Sequence, residues 1–499
     1  MGLDIKLDIK EEKIQNMSKP ASSTGKGFLW SAIERFSVQA LQFIFQIILA
    51  RLLSPSDYGV IAMLAIFMAI AQAFIDSGFT NALIKKLDRT DTDFSTVFYF
   101  NIFISIIIYI VLYLSAPLIA NFYRTPELTN ITRVYMLSLP IIALGAIQRT
   151  QFTIKVNFKD QAIASFSGAL VGGVVGIILA AQRYGAWALV FSALATNIVT
   201  TTAFWIQSPW RPRWEFSLVS LRTMFSFGSK LLFSGLLDTA YQNLYQLVIG
   251  ARFSKQDLGY YSRADGFAQF PSSNITGIMQ RVTYPILCTM ADNDDKLLTV
   301  YRQYIKMAAY IIFPLMIGLA AIAKPLVNVV LGQKWQSAAI ILQIICFSYL
   351  WYPIHSINLN LLMVKGRSDL FLRVEIIKKI MGIFILLIVL NFSVEAMALG
   401  KVVSSIIALF INTYYTKKLV SYGIVKQIRD IFPCLILSTA SCVPAFVLSQ
   451  FFPNNGPILL LSIILSVAIY LFISNMLKLD EFVQVKSSLA TILQNRNAR

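Results

Sequence analysis

Long apolar runs, separated by short stretches rich in Lys, Arg, Asp and Pro, recur along most of the chain. A bilayer core takes about 20 apolar residues per helix, and about fourteen runs reach that length. They begin near Gly27, Tyr58, Phe94, Thr132, Ala162, Gly185, Met224, Leu258, Gln303, Ser337, Leu370, Val394, Asp430 and Gly456. The pattern predicts an all-α polytopic membrane protein with no soluble domain, because the intervening loops are too short to build one.

Composition agrees. With 57% hydrophobic and 14% charged residues, the chain has too little polar surface to coat a soluble globule. A formal net charge of +18 would point to nucleic acid in a soluble protein. Here the cations gather instead in alternate loops: Lys85/Lys86/Arg89, Arg149/Lys155/Lys159, Arg211/Arg213/Arg222, Lys296/Arg302, Lys365/Arg367/Arg373 and Lys417/Lys418/Lys426/Arg429. That asymmetry orients a membrane protein with those loops, and both termini, in the cytoplasm; it leaves no role for nucleic acid. Residues 1–26 lack an apolar core and a cleavage site, so they read as a cytoplasmic tail and not a signal peptide. Trp205, Trp210 and Trp214 at one interface, and Trp187 and Trp335 at the other, read as membrane anchors. The four cysteines, Cys288, Cys346, Cys434 and Cys442, lie in or beside apolar runs and read as core residues.

The chain also repeats itself. Ala50-Arg51-Leu52 leading to Asp57-Tyr58-Gly59 is matched by Ala251-Arg252-Phe253 leading to Asp257-Leu258-Gly259, about 200 residues later. Lys155 and Asp160 are echoed by Lys365 and Asp369, and Ala186–Leu189 by Ala396–Leu399. An even number of helices per repeat makes two parallel six-helix repeats, related by an axis along the membrane normal. The expected organisation is a cytoplasmic tail over 1–26, an N-lobe over 27–207, a cytoplasmic connector over 208–223 and a C-lobe over 224–420. Two further helices over 427–476 and a cytoplasmic tail over 477–499 follow. Pro140 and Pro353 interrupt helices four and ten in nearly corresponding places, Pro271 breaks helix eight, and the later part of Ser208–Arg222 is expected as a short interfacial helix. Two bundles that rock about a central cavity suit a transporter.

Polar groups placed where lipid makes them costly are the candidate chemistry. Gln39, Gln42 and Gln46 recur at helical spacing, as do Gln242 and Gln246, with Asn243 beside them; these would line a cavity or bond neighbouring helices. Arg35, Lys230, Arg263 and Arg281 would suit a pyrophosphate, or pair internally with acids. Glu34, Asp238 and Asp265 are the candidates for ion coupling, or for structural pairing with arginine. Asp76 ends helix two, and His355 reads as a packing residue. The chain has no P-loop, no dinucleotide fingerprint and no HExxH, so neither an enzyme nor a metal or cofactor is expected.

At this level the chain resembles a known family. LARLLSPSDYGVIAM (Leu49 to Met63), FIDSGFTNALIKK (Phe74 to Lys86), FSFGSKLLFSGLLDTAY (Phe225 to Tyr241), LGYYSRADGFAQFPSSNITGIMQRVTYP (Leu258 to Pro285) and LNLLMVKGRSDL (Leu359 to Leu370) are similar to bacterial oligosaccharide flippases of polysaccharide biosynthesis. Their superfamily also holds drug and toxin antiporters and lipid II flippases. The resemblance implies a two-lobed, alternating-access bundle in the bacterial cytoplasmic (inner) membrane that carries undecaprenyl-diphosphate-linked sugar units to the periplasmic leaflet by proton or sodium antiport, with a basic central cavity. Membrane lipid and, downstream, a surface-polysaccharide (O-antigen, capsule or exopolysaccharide) polymerase would be its partners. Two alternatives stay open: a small-molecule antiporter on the same scaffold, and a membrane-embedded glycan polymerase or ligase.

Overall fold

The computed structural model describes residues 21–487 except 77, 78, 87, 156 and 453, with side chains described from Ser37 onward save a few, among them Asp76 and Lys230. The helices, in order, are α1 Ala21–Leu52, α2 Pro55–Asp76, α3 Phe79–Lys85, α4 Asp91–Phe122, α5 Leu128–Tyr135, α6 Ser138–Ile154, α7 Phe158–Ala181, α8 Ala186–Gln207 and α9 Leu218–Arg252. They continue as α10 Lys255–Cys288, α11 Asp294–Ala321, α12 Ala323–Leu326, α13 Gln336–Tyr349, α14 Tyr352–Val364, α15 Ser368–Val389, α16 Val394–Val420, α17 Ile424–Phe451 and α18 Gly456–Met476. No strand occurs among the described residues.

Every apolar run of the sequence falls on these helices, the fourth divided between α5 and α6 and the tenth between α13 and α14. Among the described residues, ten helical runs are long and apolar enough to cross a membrane. Helix α10 is not one of them: beside Asp257, Arg263, Asp265 and Arg281 it carries Gln269, Ser272, Ser273, Asn274 and Gln280 along its middle. Large apolar side chains such as Phe103, Leu114 and Leu118 of α4 stand exposed, a surface suited to lipid and not to water. The chain is a multi-pass membrane protein.

Packing divides it into two compact units, one of Leu64–Asn243 with the chain up to Leu53, the other of Ser54–Met63 with the chain from Leu244. In the first, α7 and α8 form a tight antiparallel hairpin that turns at Gly185, whose φ of 56° suits a residue without Cβ. Gly168, Gly172 and Gly176 recur every four residues along α7, and they meet Thr200, Thr196 and Ser192 of α8. A Cβ on Gly172 would lie 1.8 Å from Oγ1 of Thr196, and the Ser192 hydroxyl donates to the Gly172 carbonyl at 2.8 Å. In lipid, small residues let backbones approach closely enough for dispersion to hold helices together. Gly173 turns to α1, where its hydrogen leaves room for the ring of Phe45.

The chain between α8 and α9 is not helical, and the expected interfacial helix is in fact the first turns of α9. This strip is held along α4: the Arg213 amide donates to Ser95 Oγ at 3.0 Å, the Ser217 amide to Thr96 Oγ1 at 3.0 Å, and Arg213 pairs with Asp91 at 2.9 Å. Trp210 packs edge-on against Phe94 and Phe98, and Trp214 stacks on Tyr99.

In the second unit, the N-termini of α2 and α10 are built alike. The Ser54 amide donates to the Asp57 carboxylate and the Asp57 amide to Ser54 Oγ; Ser254 and Asp257 do the same. Trp335 is fully buried, edge-on to Tyr58 and Tyr260, so it is a core residue and not the interfacial anchor expected of it. Nor does Pro271 break helix eight: α10 runs through it, losing one backbone bond to the ring nitrogen. Helices α17 and α18 join this unit through α11, by a bidentate Arg302–Asp430 pair at 2.8 and 2.9 Å and a Tyr470 hydroxyl on the Tyr310 carbonyl at 2.7 Å.

Candidate functional site

Inside the second unit a chain of polar groups links α10, α13, α14 and α16. Its head is Asp265, a buried carboxylate on α10 that meets the Lys401 ammonium of α16 at 2.5 Å and accepts from the Tyr349 hydroxyl at 3.1 Å. Lys401 also lies 3.2 Å from the Tyr349 oxygen and 4.6 Å above its ring centroid. A charged pair in such surroundings holds only while both members stay: losing one leaves an uncompensated charge, at a cost of about 3–5 kcal/mol.

The series continues one turn along α16. Ser405 donates to the Ser348 carbonyl at 3.0 Å, Ser348 donates to the Lys401 carbonyl at 3.3 Å, and His355 Nε2 lies 3.2 Å from Ser405 Oγ. The Asn412 amide reaches His355 Nδ1 at 3.1 Å, which makes Nδ1 the acceptor and Nε2 the donor of a neutral ring. His355 is thus held on both sides, as a helix-packing histidine would be.

Arg263 takes another direction. Residues two apart on a helix do not share a face, and its guanidinium lies 4.4 Å from the centroid of Tyr58, while Asp265 turns to Lys401. The structure therefore joins Asp265 to a lysine that the sequence reading passed over, and not to an arginine. The available signal was a lone cation in the middle of an apolar run, AMALGKVVSSIIALF (Ala396 to Phe410).

The remaining candidates spread out. Asp238 and Gln242 are exposed on α9, Asn243 is half-buried and donates to the Thr239 carbonyl at 2.8 Å, and Gln246 is half-buried. On α1, Gln39 is half-buried while Gln42 and Gln46 are exposed; Arg281 is exposed on α10. The side chains of Glu34, Arg35 and Lys230 lie outside the described residues. All four cysteines are free, and three of them, Cys346, Cys434 and Cys442, are buried.

A family described as polysaccharide biosynthesis protein matches residues 48–340. The chain belongs to that family. Among its relatives, the teichuronic acid biosynthesis protein TuaB of Bacillus subtilis is 26% identical over 69% of this chain and 72% of its own. The lipopolysaccharide biosynthesis protein WzxC of Escherichia coli is 24% identical over 78% of this chain and 79% of its own. Among solved structures, the lipid II flippase MurJ in an inward closed conformation superposes with a TM-score of 0.73 at 16% identity, covering 90% of this chain and 98% of that one, which establishes a shared fold. Asp265 and Arg263 fall inside the matched span of this polysaccharide biosynthesis protein, whereas Tyr349, His355 and Lys401 lie beyond it.

Proposed function

We propose that this polysaccharide biosynthesis protein is a flippase that carries undecaprenyl-diphosphate-linked oligosaccharide from the cytoplasmic to the periplasmic leaflet. One observation carries the reading: the family belongs to polysaccharide assembly, yet the described residues are spent on spanning helices, with no soluble domain among them to make bonds. A chain so built moves a glycan precursor more readily than it polymerises one. The halves 27–207 and 224–420, joined by 208–223, would supply alternating access, with the tails on the cytoplasmic side.

The buried pair suits cation antiport. A coupling ion that takes the place of Lys401 at Asp265 would leave the ammonium, 2.5 Å away, free to face a diphosphate; its departure would restore the pair. Arg263, which faces Tyr58, and Arg35, Lys230 and Arg281 are the further candidates for the diphosphate.

Depleting the protein in its host and locating the lipid-linked oligosaccharide tests this. Accumulation on the cytoplasmic leaflet with loss of surface polymer is expected. Accumulation on the periplasmic leaflet would overturn the reading in favour of a polymerase or ligase.

A further inference from the structure

The first unit contains a cavity of its own, of about 500 Å³, within the size range of small-ligand sites. Its walls come from α2, α3, α6 and α8, and the groups that matter are Gln72, Arg149, Thr150, Thr153, Asn197 and Thr201. Among the described residues that line it, the one charged group is the Arg149 guanidinium, which favours a ligand carrying negative charge.

The hydroxyls sharpen the specification. A threonine hydroxyl has a single proton to give, and three of these have already given it. Thr150 donates to the Ala146 carbonyl at 2.8 Å, Thr153 to the Arg149 carbonyl at 3.1 Å, and Thr201 to the Ile141 carbonyl at 3.0 Å. What they turn to the cavity is acceptor oxygen. A ligand that satisfies these three oxygens must bring its own donors, and must also carry an acceptor or negative charge for Arg149, whose five N–H groups can only donate. Inorganic phosphate has charge and hydroxyl protons but no carbon skeleton to set against the Phe204 ring, and a neutral hexose lacks the charge. A sugar with hydroxyls and one carboxylate has both, and the buried ring of Phe204 adds an apolar wall for its carbon skeleton.

We propose that this cavity binds an acidic sugar residue, its carboxylate on Arg149 and its hydroxyls donating to Thr150, Thr153 and Thr201. In the cell that residue is part of the glycan being moved, a statement that rests on the flippase reading; the binding itself does not.

The test is saturation-transfer NMR on the purified full-length protein in lipid nanodiscs, with free glucuronate as the probe. Glucuronate should give a signal that neutral glucose and inorganic phosphate do not displace at equal concentration. Arg149→Gln should weaken binding by about tenfold or more, the scale of a lost charge-assisted contact. Thr150→Val, which removes one acceptor and keeps the shape, should weaken it by a smaller factor and serves if Arg149→Gln does not purify as a folded species. Equal signals from the wild type and both variants, or displacement by phosphate as effective as by glucuronate, would overturn the proposal. The depletion experiment separates the two readings. Arg149-dependent glucuronate binding without leaflet accumulation upholds the site and sinks the flippase, whereas accumulation without such binding sinks the site alone.

Discussion

Gly259 approaches Gly59 so closely that a Cβ on Gly259 would lie 3.3 Å from the Gly59 nitrogen and 1.9 Å from the Pro55 carbonyl oxygen. The relation is mutual: a Cβ on Gly59 would lie 1.6 Å from the Lys255 carbonyl oxygen. The two glycines end the segments Asp57-Tyr58-Gly59 and Asp257-Leu258-Gly259, so the repeat read in the sequence meets itself at this crossing. Gly59→Ala and Gly259→Ala should each lower the apparent Tm in detergent, overpacking costing about 1–3 kcal/mol. Gly266→Ala on the same helix meets nothing within 4 Å. It should be neutral or stabilising by about 0.5–1 kcal/mol, since alanine suits a helix interior better.

Along α7 the argument is the same but the neighbour differs. Gly172→Val would drive its side chain into Thr196 and the Ser192 carbonyl, so the yield of monodisperse protein should fall sharply. Ser192→Ala removes one hydrogen bond without adding volume and should cost only about 1 kcal/mol. Comparable losses from the two variants in a thermal unfolding assay would refute close packing as the role of these glycines.

For the Asp265–Lys401 pair, whose carboxylate is buried and whose ammonium is half-buried, Asp265→Leu and Lys401→Met alone should each destabilise, by up to about 3–5 kcal/mol, while the double variant should recover much of the loss, because it removes both charges together. Thermal unfolding of the three proteins decides this. If the pair also couples ions, the double variant will fold and reach the membrane but not export glycan.

Asp265→Asn keeps the shape of the site and removes its ability to exchange a proton. Export by this variant should no longer vary with pH. Retained pH dependence would transfer the coupling role to Asp238 or Glu34, and their amide variants would be measured next.

The stacking of Arg263 on Tyr58 predicts a coupling energy of about 0.5–2 kcal/mol in a double-mutant cycle of Arg263→Met and Tyr58→Leu. Additive effects on Tm would show that the two side chains do not communicate.

Helix positions were legible because hydropathy is written locally: each apolar run falls on helix, the fourth and tenth on two each. The breaks near Pro140 and Pro353 were legible for the same reason, since proline acts on its own turn, and the structure parts α5 from α6 and α13 from α14 just before them. Pairing across the fold was not. Nothing near Asp265 names Lys401, and a lone lysine just past the repeat segment Ala396–Leu399 carries no local sign of its partner. Trp335 misled for a related reason: its place near a span end suits an anchor, and only Tyr58 and Tyr260, distant in sequence, turn that place into a core.

The Asp265–Lys401 pair also has a history within each molecule. The carboxylate is synthesised first and its ammonium follows 136 residues later, roughly 7–27 s at a ribosomal rate of about 5–20 residues per second. Through that interval α10 must enter the membrane with its acid unmatched, or wait beside the insertion machinery until α16 emerges. The same bond that settles the finished second unit therefore makes the order of synthesis a constraint on its assembly.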